Sequence, residues 1–185
     1  MDHIVSQRRP GLIERRAGIL RKWLVAALFA SWTPSALPAA TIILVRHADR
    51  SSAMSADAAL SPAGEERAKE LARVLKDAGI QRIYVTEFLR TRQTAEPIAA
   101  MLHLEPVIIA QKDTDALVAK LQELGENETV LVVGHTNTIP LIIERLGAGP
   151  APAMPDTEYD RLVVLFTFAQ GKARMVTLRY GDIAQ

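Results

Sequence analysis

From residue 41 onward the chain alternates short β-rich runs with amphipathic stretches, and that alternation restricts the fold more than any other feature. Residues 41–45, 82–85, 107–109 and 129–133 are nearly continuous apolar runs. A strand that is apolar at successive positions needs cover on both faces, which is the mark of a parallel sheet between two helical layers. The intervening segments are punctuated as helices. In Ser61-Pro62-Ala63-Gly64-Glu65-Glu66 a serine caps, a proline takes the first helical position and acids fill the first turn. Ala68, Leu71, Leu75 and Ala78 then make one apolar face that Gly79 ends. Further helices are predicted over about 88–102, 114–124 and 138–146, the first bent where Pro97 removes a backbone donor. Residues 161–168 and 174–180, around Ala169-Gln170-Gly171-Lys172, read as a hairpin. The predicted architecture is α/β: a three-layer sandwich with a mostly parallel central sheet, helices on both faces and a C-terminal antiparallel hairpin.

Residues 1–40 break this pattern. They hold six basic side chains (Arg8, Arg9, Arg15, Arg16, Arg21, Lys22) against two acidic ones, Asp2 and Glu14. An apolar run, Trp23 to Ala30, follows the basic stretch, and then come breakers and small residues up to Ala40. That order, charged then apolar then small, is the order of an export signal. The run is too short to span a hydrocarbon core, which needs about twenty residues as a helix. The expectation is a signal peptide over 1–40, or an N-terminal anchor if it stays uncleaved, ahead of a domain over 41–185. The product would be exported, periplasmic or secreted, and would touch a membrane only through 1–40. The domain keeps 16 basic against 19 acidic residues. It lacks the basic field that drives phosphate-backbone binding, so nucleic acid is not an expected partner. With no cysteine in the chain, disulfides, thiolate metal sites and cysteine nucleophiles are all excluded.

In an open α/β sheet the ligand lies beyond the carboxyl ends of the strands. Three of the four strand ends carry reactive or charged residues: Arg46-His47-Ala48-Asp49-Arg50 after the first, Thr86-Glu87-Phe88-Leu89 leading to Arg90 after the second, and Gly134-His135-Thr136-Asn137 after the fourth. Two arginines with two histidines suit an oxyanion. Guanidinium forks bind phosphate bidentately and stay charged. Their charge also disfavours protonation of a nearby imidazole, leaving one nitrogen nucleophilic near neutral pH. Helix starts after Thr86 and near Thr138 are expected to aim backbone N–H groups at the same anion. The chemistry these residues support is phosphoryl transfer through a phosphohistidine, with neither metal nor cofactor.

These segments resemble the histidine phosphatase superfamily, the phosphoglycerate mutase-like fold. Arg46-His47 with Ala48 is similar to its Arg-His-Gly signature, and Leu60-Ser61-Pro62-Ala63-Gly64 to its Leu-Thr/Ser-x-x-Gly helix start. Thr86 to Ala95 resembles the family's arginine-bearing segment, and Val133-Gly134-His135 its second histidine. The resemblance implies that His47 is the nucleophile and that Arg46, Arg90, His135 and Thr136 hold the phosphoryl group. It also implies a general acid, for which Asp113 stands about where the family places it, with Asp115 and Glu87 as rivals. An asparagine that some members carry six residues after the nucleophile is Ala53 here; Arg50 either compensates or is a surface arginine.

The expected activity is metal-independent hydrolysis of phosphomonoesters on a small molecule or a protein. Alternatives are a phosphohistidine-protein phosphatase or a phospho-ligand-binding module without turnover. Mutase members resembling this chain carry longer insertions over the site. The remaining charged clusters have local readings. His103 reads as a cap or surface residue, and Glu158-Tyr159-Asp160-Arg161 as a turn with ion pairs rather than a wall of the site. The loops 51–59 and 147–157 are those that would meet the leaving group.

Overall fold

Side-chain alternation along the strands sorts the core into two halves. The computed structural model describes residues 40–52, 54–168 and 173–181, all within the unit formed by residues 37–185. Its elements are β1 (Ala40–Arg46), α1 (Pro62–Leu75), β2 (Arg82–Val85), α2 (Leu89–Leu102), β3 (Val107–Ile108), a 3-10 turn (Gln111–Asp113), α3 (Thr114–Gln122), β4 (Glu128–Gly134), α4 (Thr138–Arg145), β5 (Arg161–Thr167) and β6 (Ala173–Arg179). They form one six-stranded sheet in the order β3-β2-β4-β1-β5-β6. The first four strands run parallel, and β5 and β6 are antiparallel. Ile42 and Leu44 of β1, with Val130 and Val132 of β4, face Leu117, Leu121, Ile139 and Ile142 of α3 and α4. Ile43, Val45, Leu131 and Val133 face Leu71, Leu75, Ile98 and Ala99 of α1 and α2. Burial on both faces is why these strands read as unbroken apolar runs, and the predicted three-layer sandwich is the observed one. The hairpin strands are present; their connecting residues 169–172, the segment 1–39 and Ala53 lie outside the described residues. Among the described residues, no helix is long and apolar enough to cross a membrane.

Two local expectations change. β3 pairs with β2 as an edge strand, beyond which the described residues place no further strand, and Val107 and Ile108 are exposed rather than buried. α1 stops at Leu75, so Ala78 is exposed and Ile80 closes the core in its place. Helix α2 spans Leu89–Leu102 with Pro97 inside it, over the range expected. His103 then takes a left-handed conformation, and backbone N–H groups return to Ala99 and Ala100, the cap expected of it.

Two glycines decide how closely the site-bearing segments meet. A Cβ on Gly64 would stand 2.1 Å from the Asp49 carbonyl oxygen. That close approach presses the start of α1 against the segment leaving β1, where Ser61 N–H donates to the same oxygen at 2.8 Å. Asp49 also accepts from Arg67 Nε at 2.7 Å. A Cβ on Gly134 would stand 2.8 Å from Thr138 Oγ1, the hydroxyl that accepts from the His135 N–H at 2.9 Å.

Candidate active site

Because β4 lies between β1 and β2, the ends of all three strands are neighbours, and residues far apart in sequence converge there. His47 N–H donates to Gly134 O at 3.0 Å, tying the end of β1 to that of β4. Ala48, fully buried against Leu60 and Ala68, donates its N–H to Thr94 Oγ1 of α2 at 2.9 Å. The histidine rings lie edge to face with centroids 5.4 Å apart. Arg46, His47, Arg90 and His135 are all buried.

The hydrogen bonds assign the tautomers. His47 Nδ1 lies 2.8 Å from Ala48 O, and a carbonyl only accepts, so Nδ1 carries the proton. The lone pair is therefore on Nε2. His135 has the opposite tautomer: Arg90 Nη2 is a donor and lies 3.3 Å from Nδ1, so Nδ1 accepts. Its Nε2–H donates to Thr86 Oγ1 at 2.8 Å. Thr86 Oγ1 can then donate to Thr91 Oγ1 at 2.9 Å, and Thr91 donates to Phe88 O at 2.7 Å. Burial holds the His47 imidazole down at about 4; the Ala48 carbonyl opposes this, while the charges of Arg46, Arg90 and Arg50 add to it. Burial, Arg90, His47 and Arg46 together hold His135 at about 3. Both rings are neutral near pH 7, as nucleophilic attack requires.

The arginines are held but not saturated. Arg46 Nη1 donates to the carbonyls of Pro155, Asp156 and Glu158, and its guanidinium stacks on Tyr159 at 4.3 Å. Arg90 Nη1 donates to Ala56 O at 2.9 Å, with its guanidinium over Phe88 at 4.4 Å. Arg46 Nε and Arg90 Nε are buried without a hydrogen-bond partner. Burial lowers the pKa of both guanidinium groups by making their charge costlier, which strengthens the demand for an anion. Arg50 begins the 51–59 loop, where Ser51 N–H donates to Ala59 O. Its charge acts on Arg46, His47 and Arg90 together. Among the described residues, no cluster of three or more histidine, aspartate and glutamate side chains is placed to hold a metal.

The nominated carboxylates are placed less favourably. Glu87 accepts the Gln111 N–H at 2.8 Å, and Asp115 pairs with Arg145 at 3.0 Å on the surface. Asp113 is exposed at the end of the 3-10 turn, and neither a hydrogen bond nor an ion pair ties its side chain to the histidines. The helix starts differ from expectation too. Asp57 Oδ1 takes the first amide of α2, at Leu89, and the Thr138 and Ile139 amides return to His135 O. Those three amides are thus engaged within the chain. Glu158 pairs with Arg161 and Arg179, the local ion pairs foreseen, but Tyr159 also lines the site, 5.9 Å from the His47 ring. Asp156 was not anticipated: its carboxylate lies 3.5 Å from both Arg46 Nη2 and Thr136 Oγ1. Only its position in the 147–157 loop hinted at it.

Residues 42–113 match the histidine phosphatase superfamily (branch 1). The histidine phosphatase match takes in Arg46, His47, Gly64 and Arg90 and ends before His135, whose place rests on the geometry above. Two solved structures share the fold. The protein histidine phosphatase SixA complexed with tungstate is 21% identical with a TM-score of 0.60, over 75% of this chain and 96% of that one. The alpha-ribazole phosphatase from Shigella flexneri is 16% identical with a TM-score of 0.60, over 75% and 96%. No curated protein matches the chain.

Proposed function

We propose that this protein is a metal-independent phosphatase that hydrolyses phosphomonoesters through a phosphohistidine at His47. The observation that carries the reading is the Nδ1–H bond to Ala48 O, which leaves Nε2 as the free nucleophilic nitrogen of a neutral ring beside two buried guanidinium groups. In the first step Nε2 attacks phosphorus, the P–O ester bond breaks, and the departing oxygen takes a proton from water. The buried guanidinium groups of Arg46 and Arg90 supply positive charge to the phosphoryl oxygens and to the charge that grows on them. A bound phosphoryl dianion also offsets the guanidinium charges that, after burial, help keep His135 neutral. His135 Nδ1 then takes a proton from solvent, gives up its bond from Arg90 Nη2 and donates to a phosphoryl oxygen, while the Thr86–Thr91 chain keeps the ring in place. Water attacks the phosphohistidine in the second step, releasing phosphate and restoring His47.

None of Asp113, Asp115 and Glu87 is engaged with the histidines, and that favours a second reading, phosphohistidine-protein phosphatase. A phosphoramidate nitrogen leaves with less need of a positioned acid than an alkoxide does. We also place the protein outside the cytoplasm on the strength of the charged, apolar, small order of residues 1–40.

The test is hydrolysis of phenyl phosphate by the full chain in excess chelator, beside His47→Gln. Turnover that resists chelation and is lost in the variant is the expected result. Activity that survives in His47→Gln overturns the assignment, and saturable binding without turnover in the unaltered chain favours a phospho-ligand-binding module.

A further inference from the structure

The segment at residues 155–158 does more than hold Arg46 through its carbonyls. Asp156 turns its carboxylate back to 3.5 Å from Arg46 Nη2, and Thr136 Oγ1 donates to the same oxygen at 3.5 Å. Arg46 directly precedes His47, and Thr136 directly follows His135. The carboxylate therefore sits beside both histidine-bearing segments, yet its side chain is 81% exposed while Arg46 is 3% exposed. On the phosphohydrolase reading, a phosphoryl group held among the buried Arg46, His47, Arg90 and His135 would lie inward of the exposed Asp156, and its leaving group would depart outward. Asp57 and Glu87 add negative charge on the Arg90 side of the rim, and Arg50 opposes them from the 51–59 loop.

We propose that Asp156 is a specificity residue at the mouth of the site, favouring substrates whose leaving group is cationic near the scissile bond over those whose leaving group carries a second anion. This rests on the phosphohydrolase reading. A fixed carboxylate beside the departing group attracts an ammonium and repels a carboxylate or a second phosphate, and such like-charge placement is how sites reject wrong partners. Because Asp156 is open to water, solvent screens its effect, and the expected discrimination is about tenfold rather than thousands.

The test compares kcat/KM of the full chain for phosphocholine and phosphoglycolate, with phenyl phosphate as the uncharged reference, in the unaltered protein, Asp156→Asn and Asp156→Lys. The cationic-to-anionic ratio is expected to fall about tenfold in Asp156→Asn and further in Asp156→Lys. Both members of each ratio are measured on one protein, so any loss common to all substrates through Arg46 cancels. An equal ratio in the three proteins overturns the proposal. So does a uniform rise for every substrate in Asp156→Asn, which would show that the carboxylate merely occupies the phosphoryl position. If phenyl phosphate is not hydrolysed, or is hydrolysed equally by His47→Gln, the phosphohydrolase reading has failed instead. The charge ratio is then read from calorimetric Kd values of the same two ligands, and equal Kd ratios for the unaltered and Asp156→Asn proteins overturn the role of Asp156.

Discussion

His47 and His135 do different work because they make different hydrogen bonds. A carbonyl fixes the proton of one on Nδ1, and a threonine hydroxyl fixes that of the other on Nε2. On the proposed function His47→Gln removes the nucleophile, and kcat is expected to fall by about a thousandfold or more, measured by steady-state release of phenol. Thr86→Val deletes the acceptor of His135 Nε2–H while keeping the volume. Its expected cost is about tenfold in kcat with little change in KM, because an interaction that orients a group mainly serves the transition state. Only the neutral His47 attacks, so activity is retained above its protonation step. The limb of kcat/KM due to His47 is expected near pH 4 rather than near the ordinary histidine value of 6.5. A limb due to His47 at pH 6.5 would show that the ring is not buried as described. At this scale the residues gathered at the strand ends, Arg46, His47, Arg90 and His135, were legible because each lies at or shortly after the end of a strand. The tautomers were not, since they depend on Ala48 O and on Thr86, whose geometry no spacing reveals.

At the scale of elements, the start of α1 and the end of β4 set the site's dimensions through two glycines. Gly64→Ala forces a methyl against the Asp49 carbonyl, a backbone atom that cannot swing aside. It is expected to destabilise the protein by about 1–3 kcal/mol in urea unfolding and to lower activity by shifting the segment after β1. Gly125→Ala is the contrasting substitution: the added Cβ meets only Glu128 Oε2 at an ordinary 3.6 Å, and stability should change little. Similar losses in both would remove the close-approach account of Gly64. The helices and strands themselves were readable because proline, serine and apolar periodicity are local signals. Exceptions came where tertiary position outweighs local pattern. β3 is apolar but lies at the sheet's edge, and α2 has its first amide capped by Asp57, 32 residues earlier.

For the whole molecule, two buried neutral histidines make stability depend on pH. Their pKa values in the folded protein, about 4 and about 3, lie below the unfolded value of 6.5. The unfolded chain thus binds more protons between these limits, and stability present above pH 6.5 is lost as pH falls towards 4 and then 3. Urea midpoints measured from pH 7 to 4 should fall, and His135→Asn should flatten that decline; an unchanged slope would mean that His135 is not buried neutral. Trp23 and Trp32 are the chain's two tryptophans, so removal of residues 1–40 would abolish tryptophan fluorescence. A protein recovered from the producing cell with its tryptophan emission intact would contradict cleavage there. Sheet order was the part of the molecule least legible in sequence: inserting β4 between β1 and β2 is what gathers the strand ends, and the return of the chain at 155–158 brings Asp156 to Arg46 across 110 residues. The most direct measurement is rapid mixing of the full chain with phenyl phosphate, quenching in alkali and locating the phosphoryl group by peptide mass spectrometry. The account predicts a transient phosphoryl group on His47 that is absent from His47→Gln. A phosphoryl group on any other residue, or full turnover with His47 never labelled, would contradict it.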